Sequence, residues 1–124
     1  MAKWANDAMM EAGLAYVRGN ANKMIACSAQ PTNYTEANST YALASATMTV
    51  NTDYTLADGT SGRKITVAAK SGQSVTATGT ATHIALVSTG DSTLRYVTTC
   101  TSQSLTSGNT VNFPAWDIQI GDPT

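Results

Sequence analysis

Apolar residues recur at helical spacing over the first twenty positions, and from about residue 22 onward they tend to alternate with polar ones. Met10, Leu14 and Val17 stand at i, i+4 and i+7, a one-sided stripe that Trp4, Ala8 and Tyr16 can widen. Asn6 or Asp7 is placed to cap the N-terminus, and Glu11 sits early, where the helix dipole favours a negative charge. Arg18 falls in the last turn and Gly19-Asn20 follow as stop signals. The pattern predicts a helix over residues 6–18 that packs on a sheet and closes one end of the core. Docking on a partner is the alternative use of the same stripe.

Beyond the helix the period is that of strands. Lys23–Ser28 is a short apolar run that ends at Gln30-Pro31, because proline removes a ladder donor. Residues 34–42 are polar and ambiguous, with Tyr34 and Tyr41 as possible anchors. Strands are expected at 44–50 and 54–56, with a loop at Asp58–Gly62. Arg63–Ala69 alternates, so Ile65 and Val67 share a face; a turn is expected at Ser71-Gly72, and a strand at 74–78 that Gly79 breaks. Thr82–Ser88 is nearly continuously apolar, as befits a central strand covered on both faces. A hairpin loop at Thr89–Ser92 leads to an antiparallel return over 94–100. Thr110–Phe113 and Ala115–Ile120 read as a last strand pair, or as one long strand bent at Pro114. The final Gly-Asp-Pro-Thr is expected to fray.

Strands every 8–12 residues with short polar turns indicate a mainly β fold. The expectation is an antiparallel β-sandwich or small barrel with one N-terminal α-helix. A length of 124 residues fits a single domain, with the helix at about 6–18 and the β part at about 22–120. A large share of the 42% hydrophobic residues is alanine, and phenylalanine occurs once. Alanine buries little area, so stabilisation per residue is modest and the composition points to a protomer that gains stability in an assembly.

Charge narrows the partners. Charged residues make up 12% and the net charge is -1, so there is no basic footprint for a nucleic-acid backbone. No window approaches the ~18 apolar residues of a membrane helix. Asn6, Asp7 and Glu11 interrupt any signal-peptide apolar core, which implies synthesis in a cytoplasm, where Cys27 and Cys100 are expected as free buried thiols rather than a bridge. Two distant cysteines make no zinc pattern, and the glycines sit at turns instead of in phosphate loops. No cofactor or metal is implied.

Catalytic chemistry finds little support. His83 is the only histidine and opens the most apolar strand, with no nucleophile-elbow pattern nearby. The aspartates are scattered, mostly in turns. Asp117, between Trp116 and Ile118, is read as an outward residue, with an ion-paired or interface residue as the alternatives. The chain therefore reads as a binder and not as an enzyme.

Four patches carry a resemblance that spans nearly the whole chain. They are Trp4-Ala5-Asn6-Asp7 with the helix and Cys27-Ser28-Ala29-Gln30-Pro31; Ser61-Gly62-Arg63-Lys64; Thr78–Val87; and Leu105–Val111 with Pro114-Ala115-Trp116-Asp117-Ile118. Together they resemble a family of small structural proteins of tailed bacteriophages and prophages. The resemblance implies a virion component, foremost a head decoration (cement) protein. Such a protein is made in the host bacterial cytoplasm and sits on the capsid surface. It binds the major capsid protein, often as a trimer. A tail, neck or fibre component, or a carbohydrate-binding β-module for host attachment, is the alternative. Residue type points to Trp4, Met9, Met10 and Tyr16 as one contact patch and to Trp116 with Asp117 as a second.

Overall fold

The computed structural model describes residues 7–59 and 62–120, with residues 7–11 as backbone only. The expected Asn6 cap, the Trp4, Met9 and Met10 side chains and the C-terminal Gly-Asp-Pro-Thr lie outside the described part. Helix α1 runs over Asp7–Arg18. Leu14 and Val17 are buried, and α1 packs against strands β4 (Arg63–Val67) and β9 (Trp116–Ile120). The helix stops where Gly19 N–H bonds the Ala15 carbonyl and the Asn20 side-chain amide donates to the Tyr16 carbonyl. The stripe thus serves the core.

The remaining strands are β1 (Lys23–Cys27), β2 (Ala42–Thr47), β3 (Tyr54–Asp58), β5 (Lys70–Ser74), β6 (Gly79–Ser88), β7 (Thr93–Leu105) and β8 (Thr110–Phe113). They form three antiparallel sheets: a four-stranded one in the order β2-β1-β6-β7, a three-stranded β3-β4-β9, and a two-stranded β5-β8. The fold is mainly antiparallel β, and no barrel is closed. Met24, Ala26 and Leu86 from the first sheet share one core with Tyr54, Ile65, Val67 and Ile118 from the second and with Val111 and Phe113 from the third. The Tyr54 hydroxyl donates to the Ala21 carbonyl at 2.7 Å, tying β3 to the junction between α1 and β1.

Strand β6 is central, as its apolar run predicts. Ala85, Leu86 and Val87 are all fully buried. Leu86 faces the main core, whereas Ala85 and Val87 join Ile25, Cys27 and Ala37 in a second cluster on the opposite face. That second face is covered by a π-helical turn, Glu36–Thr40, in the stretch the sequence leaves ambiguous. The turn is locally specified. Asn33 Oδ1 accepts from the Glu36 N–H, and Glu36 Oε1 accepts from the Thr32 N–H and hydroxyl. This is a variant of the reciprocal helix-start capping box.

Three boundaries differ from expectation. The strand expected at 74–78 lies earlier, at Lys70–Ser74, and runs through the expected Ser71-Gly72 turn. Gly72, at φ +67°, makes a bulge against β8 where a turn was expected. Val75 then forms a single bridge to Ala44, and Gly79 opens β6 instead of closing a strand. Finally, β8 and β9 are neither a pair nor one bent strand. They belong to different sheets, with β8 on β5 and β9 on β4, and Pro114 lies in the segment where the chain crosses between them.

The outer strand β7 is interrupted twice. Leu86 pairs Tyr96 while Val87 pairs Leu94, leaving Arg95 as an extra residue. Further along, Ala81 pairs Gln103 and His83 pairs Thr99, so Cys100–Ser102 bulge opposite Thr82. Regular pairing on β7 between the bulges spans only Tyr96–Thr99.

Leu86→Ala should cost about 2–5 kcal/mol through lost burial and a residual cavity. Thr55→Ala, at an exposed position, should stay within about 0.5 kcal/mol. Urea unfolding of the two variants against the parent chain measures both.

Candidate interaction surface

The two contact patches proposed from residue type meet different fates. Tyr16 is 54% exposed, and its ring lies over the Arg95 guanidinium, 4.4 Å from its centroid. The bulge on β7 aims Arg95 there; its Nε donates to Ser88 Oγ at 2.9 Å and its Nη2 to Asp91 Oδ2 at 2.6 Å. Tyr16 is therefore fixed at the β6–β7 hairpin by a cation–π contact. Its intended neighbours Trp4, Met9 and Met10 are outside the described side chains.

Trp116 and Asp117 are adjacent on β9 and so face opposite sides of the sheet. Trp116 turns inward. Its ring stacks on Tyr96 with centroids 6.0 Å apart, and its indole N–H donates to Met24 Sδ at 3.5 Å. It is not a flat exposed platform for a sugar ring. Asp117 is outward, as expected. It accepts from the Thr66 hydroxyl at 2.8 Å and from Lys64 Nζ at 3.4 Å, and these contacts, the Thr66 bond foremost, hold its carboxyl below the usual range.

Both residues border the largest recess of the molecule, a groove of about 490 Å³. Its floor is the inner face of the first sheet at Ala26, Ala81 and Ile84. One wall is the β8–β9 segment with Phe113, Pro114 and Trp116, and the opposite lip is Thr98–Thr101 of β7. The groove exists because alanines occupy the floor where larger side chains would fill the space between the sheets. Asp117 is the only charged residue lining it. Sequence reasoning missed it, since nothing in the local pattern reveals which alanines face each other across two sheets.

His83 does not stand beside a carboxylate. Its Nδ1 is 2.8 Å from the Thr82 hydroxyl, which donates to the Ser28 carbonyl and so accepts from Nδ1–H. Its neighbours across the ladder are Cys27 and Thr99. Each carboxylate among the described side chains has a partner: Glu36 with Thr32, Asp53 with Lys70 at 2.9 Å, Asp58 with Arg63, Asp91 with Arg95, and Asp117 as above. Among the described residues no cluster of His, Cys, Asp and Glu is suited to a metal ion, and no helix is long and apolar enough to cross a membrane.

Both cysteines are free thiols, but only Cys27 is fully buried; Cys100 is half-exposed at the groove, which corrects the expectation of two buried thiols. Cys27 pairs His83 and His83 pairs Thr99, so Cys27 and the neighbourhood of Cys100 are two strand spacings apart. That is roughly 10 Å, beyond the ~7 Å Cα reach of a disulfide. Burial, with a smaller contribution from Cys100, pushes the Cys27 thiol up to about 12. Compared with known proteins, the chain matches no family model, no curated protein and no solved structure.

Two outcomes follow from these environments. A maleimide should label Cys100 in the folded protein and Cys27 only after denaturation; mass spectrometry of Cys100→Ser should show no adduct until urea is added. Asp53 feels burial, which raises its pKa, but the Thr49 N–H and Lys70 outweigh it and hold the carboxyl low. Its folded pKa lies below the unfolded one, so its contribution is present above about pH 4 and is lost as pH falls through the folded value. Asp53→Asn should lower the melting temperature at neutral pH by a few degrees and flatten the acid side of the Tm–pH curve.

Proposed function

We propose that this chain is a non-enzymatic structural component of a tailed-phage particle. Within that class, we read it as a decoration protein that binds the major capsid protein lattice on the outside of the head and stabilises it. The sequence resemblance to small virion proteins motivates the class. The observation that supports it most is the groove: a sizeable apolar recess bordered by strand backbone, on a chain whose described carboxylates are all engaged by neighbours and whose histidine faces a threonine. Such a surface is suited to contact, with no convergent set of groups for bond making.

The energetics fit that role. A protein that binds only the expanded shell stabilises it by mass action, by about 2.7 kcal/mol per site at a hundredfold excess over Kd. An alanine-rich core and a low charge density suit a protomer that completes its burial against neighbours. The resemblance favours a trimer seated where capsid subunits meet.

The purified chain should cosediment with expanded, DNA-free shells built from the major capsid protein encoded beside it, and should raise their melting temperature. Recovery of the chain in the supernatant at high concentration, with no shift in shell melting, would sink this reading.

A further inference from the structure

The groove between β7 and the β8–β9 segment has an unusual lining. Thr98, Thr99, Cys100 and Thr101 all border it, and so do Val111, Asn112, Phe113 and Pro114. A strand presents only alternate side chains to one face. Consecutive residues can border one recess only where the strand is seen edge-on, so backbone lines both lips. Strand β7 is the outer strand of its sheet, with β6 as its one hydrogen-bonded neighbour among the described strands. Peptide N–H and C=O groups of an outer strand point away from the sheet and seek partners.

We propose that this groove receives an extended segment of a partner protein, which adds to the free edge of β7 along Tyr96–Thr99 and lodges an apolar side chain over Ala26 and Ala81. The two backbone lips select the occupant. A lipid tail or a small apolar molecule fills the floor but leaves the edge unpaired, whereas an extended peptide satisfies both. The alanine floor supplies the hole for its side chain. Charge defines its composition: the lining holds no basic residue, and its single charge is the Asp117 carboxylate. The segment is therefore neutral or weakly basic, never acidic. The bulge at Cys100–Ser102 ends the regular edge and limits the added strand to a few residues.

This deepens the proposed function, since it rests on that reading for the identity of the partner as the capsid subunit, but the groove itself can be tested without it. One arm selects a displayed library of twelve-residue peptides on the parent chain and on Ala81→Leu, which fills the floor. A second blocked form, the folded parent chain carrying a bulky maleimide on Cys100, covers the case in which the added leucine overpacks the core. Uncharged or basic peptides with an apolar residue should enrich on the parent chain, lose at least about tenfold in affinity on both blocked forms, and slow hydrogen exchange of amides within Tyr96–Thr99. Enrichment that ignores both blocks, or no protection of those amides, overturns the proposal.

The other arm cosediments the same three forms with the expanded shells. Retention lost in both blocked forms supports the groove and the capsid reading together. Retention unchanged by the blocks overturns the groove and leaves the capsid reading standing. Peptide capture with no shell binding by the parent chain supports the groove and overturns the capsid reading.

Discussion

Everything in this molecule hangs on one strand being buried from both sides. β6 sits between β1 and β7, sends Leu86 into the main core and sends Ala85 and Val87 into the second cluster. A strand with two apolar faces cannot border water, so each face demands its own cover. The β3-β4-β9 sheet, with α1 packed on it, meets one demand, and the π-helical turn with Tyr34 and Tyr41 meets the other. The architecture of a four-stranded sheet with cover on both faces follows from that run of residues.

The cover is uneven because the side chains available to build it are small. Ala26, Ala44, Ala46 and Ala81 all lie in the main core. Each adds little to burial and leaves room for backbone to approach. Where larger residues meet them, as Leu43 does against Gly79, the packing is close; a Cβ on Gly79 would come within 3.0 Å of a Leu43 methyl. Where alanine meets open space, the sheets do not close and the groove results. The same composition that makes the isolated chain modest in stability thus shapes its principal recess.

How much of this could be read from the sequence depended on whether a pattern was local. The helix and β6 were legible because i, i+4, i+7 spacing and an unbroken apolar run are properties of a single segment. The hairpin loop before β7 was legible for the same reason. The 34–42 stretch was not, although Asn33 and Glu36 carry the three-residue spacing of a cap; the polar residues around them masked it. The β5 boundary failed because a glycine at positive φ serves a turn and a bulge equally well, and only the partner strand β8 decides between them. Sheet membership of β8 and β9 was beyond reach, since pairing with β5 and β4 is long-range. Of the contact residues proposed from type, Tyr16 and Asp117 are outward, while Trp116 was drawn inward by Tyr96 and Met24, neither of which is its neighbour in sequence.

The two bulges of β7 have a further bearing on how such a chain stays dispersed. With 12% charged residues and a net charge of -1, mutual repulsion between copies is slight, and a long straight outer strand would invite copies to stack edge to edge without limit. The extra Arg95 and the looped-out Cys100–Ser102 cut the straight portion to four residues, too short to propagate a continuous ladder. Geometry takes over the task that charge performs in most soluble proteins, so crowding many copies together need not end in a fibre.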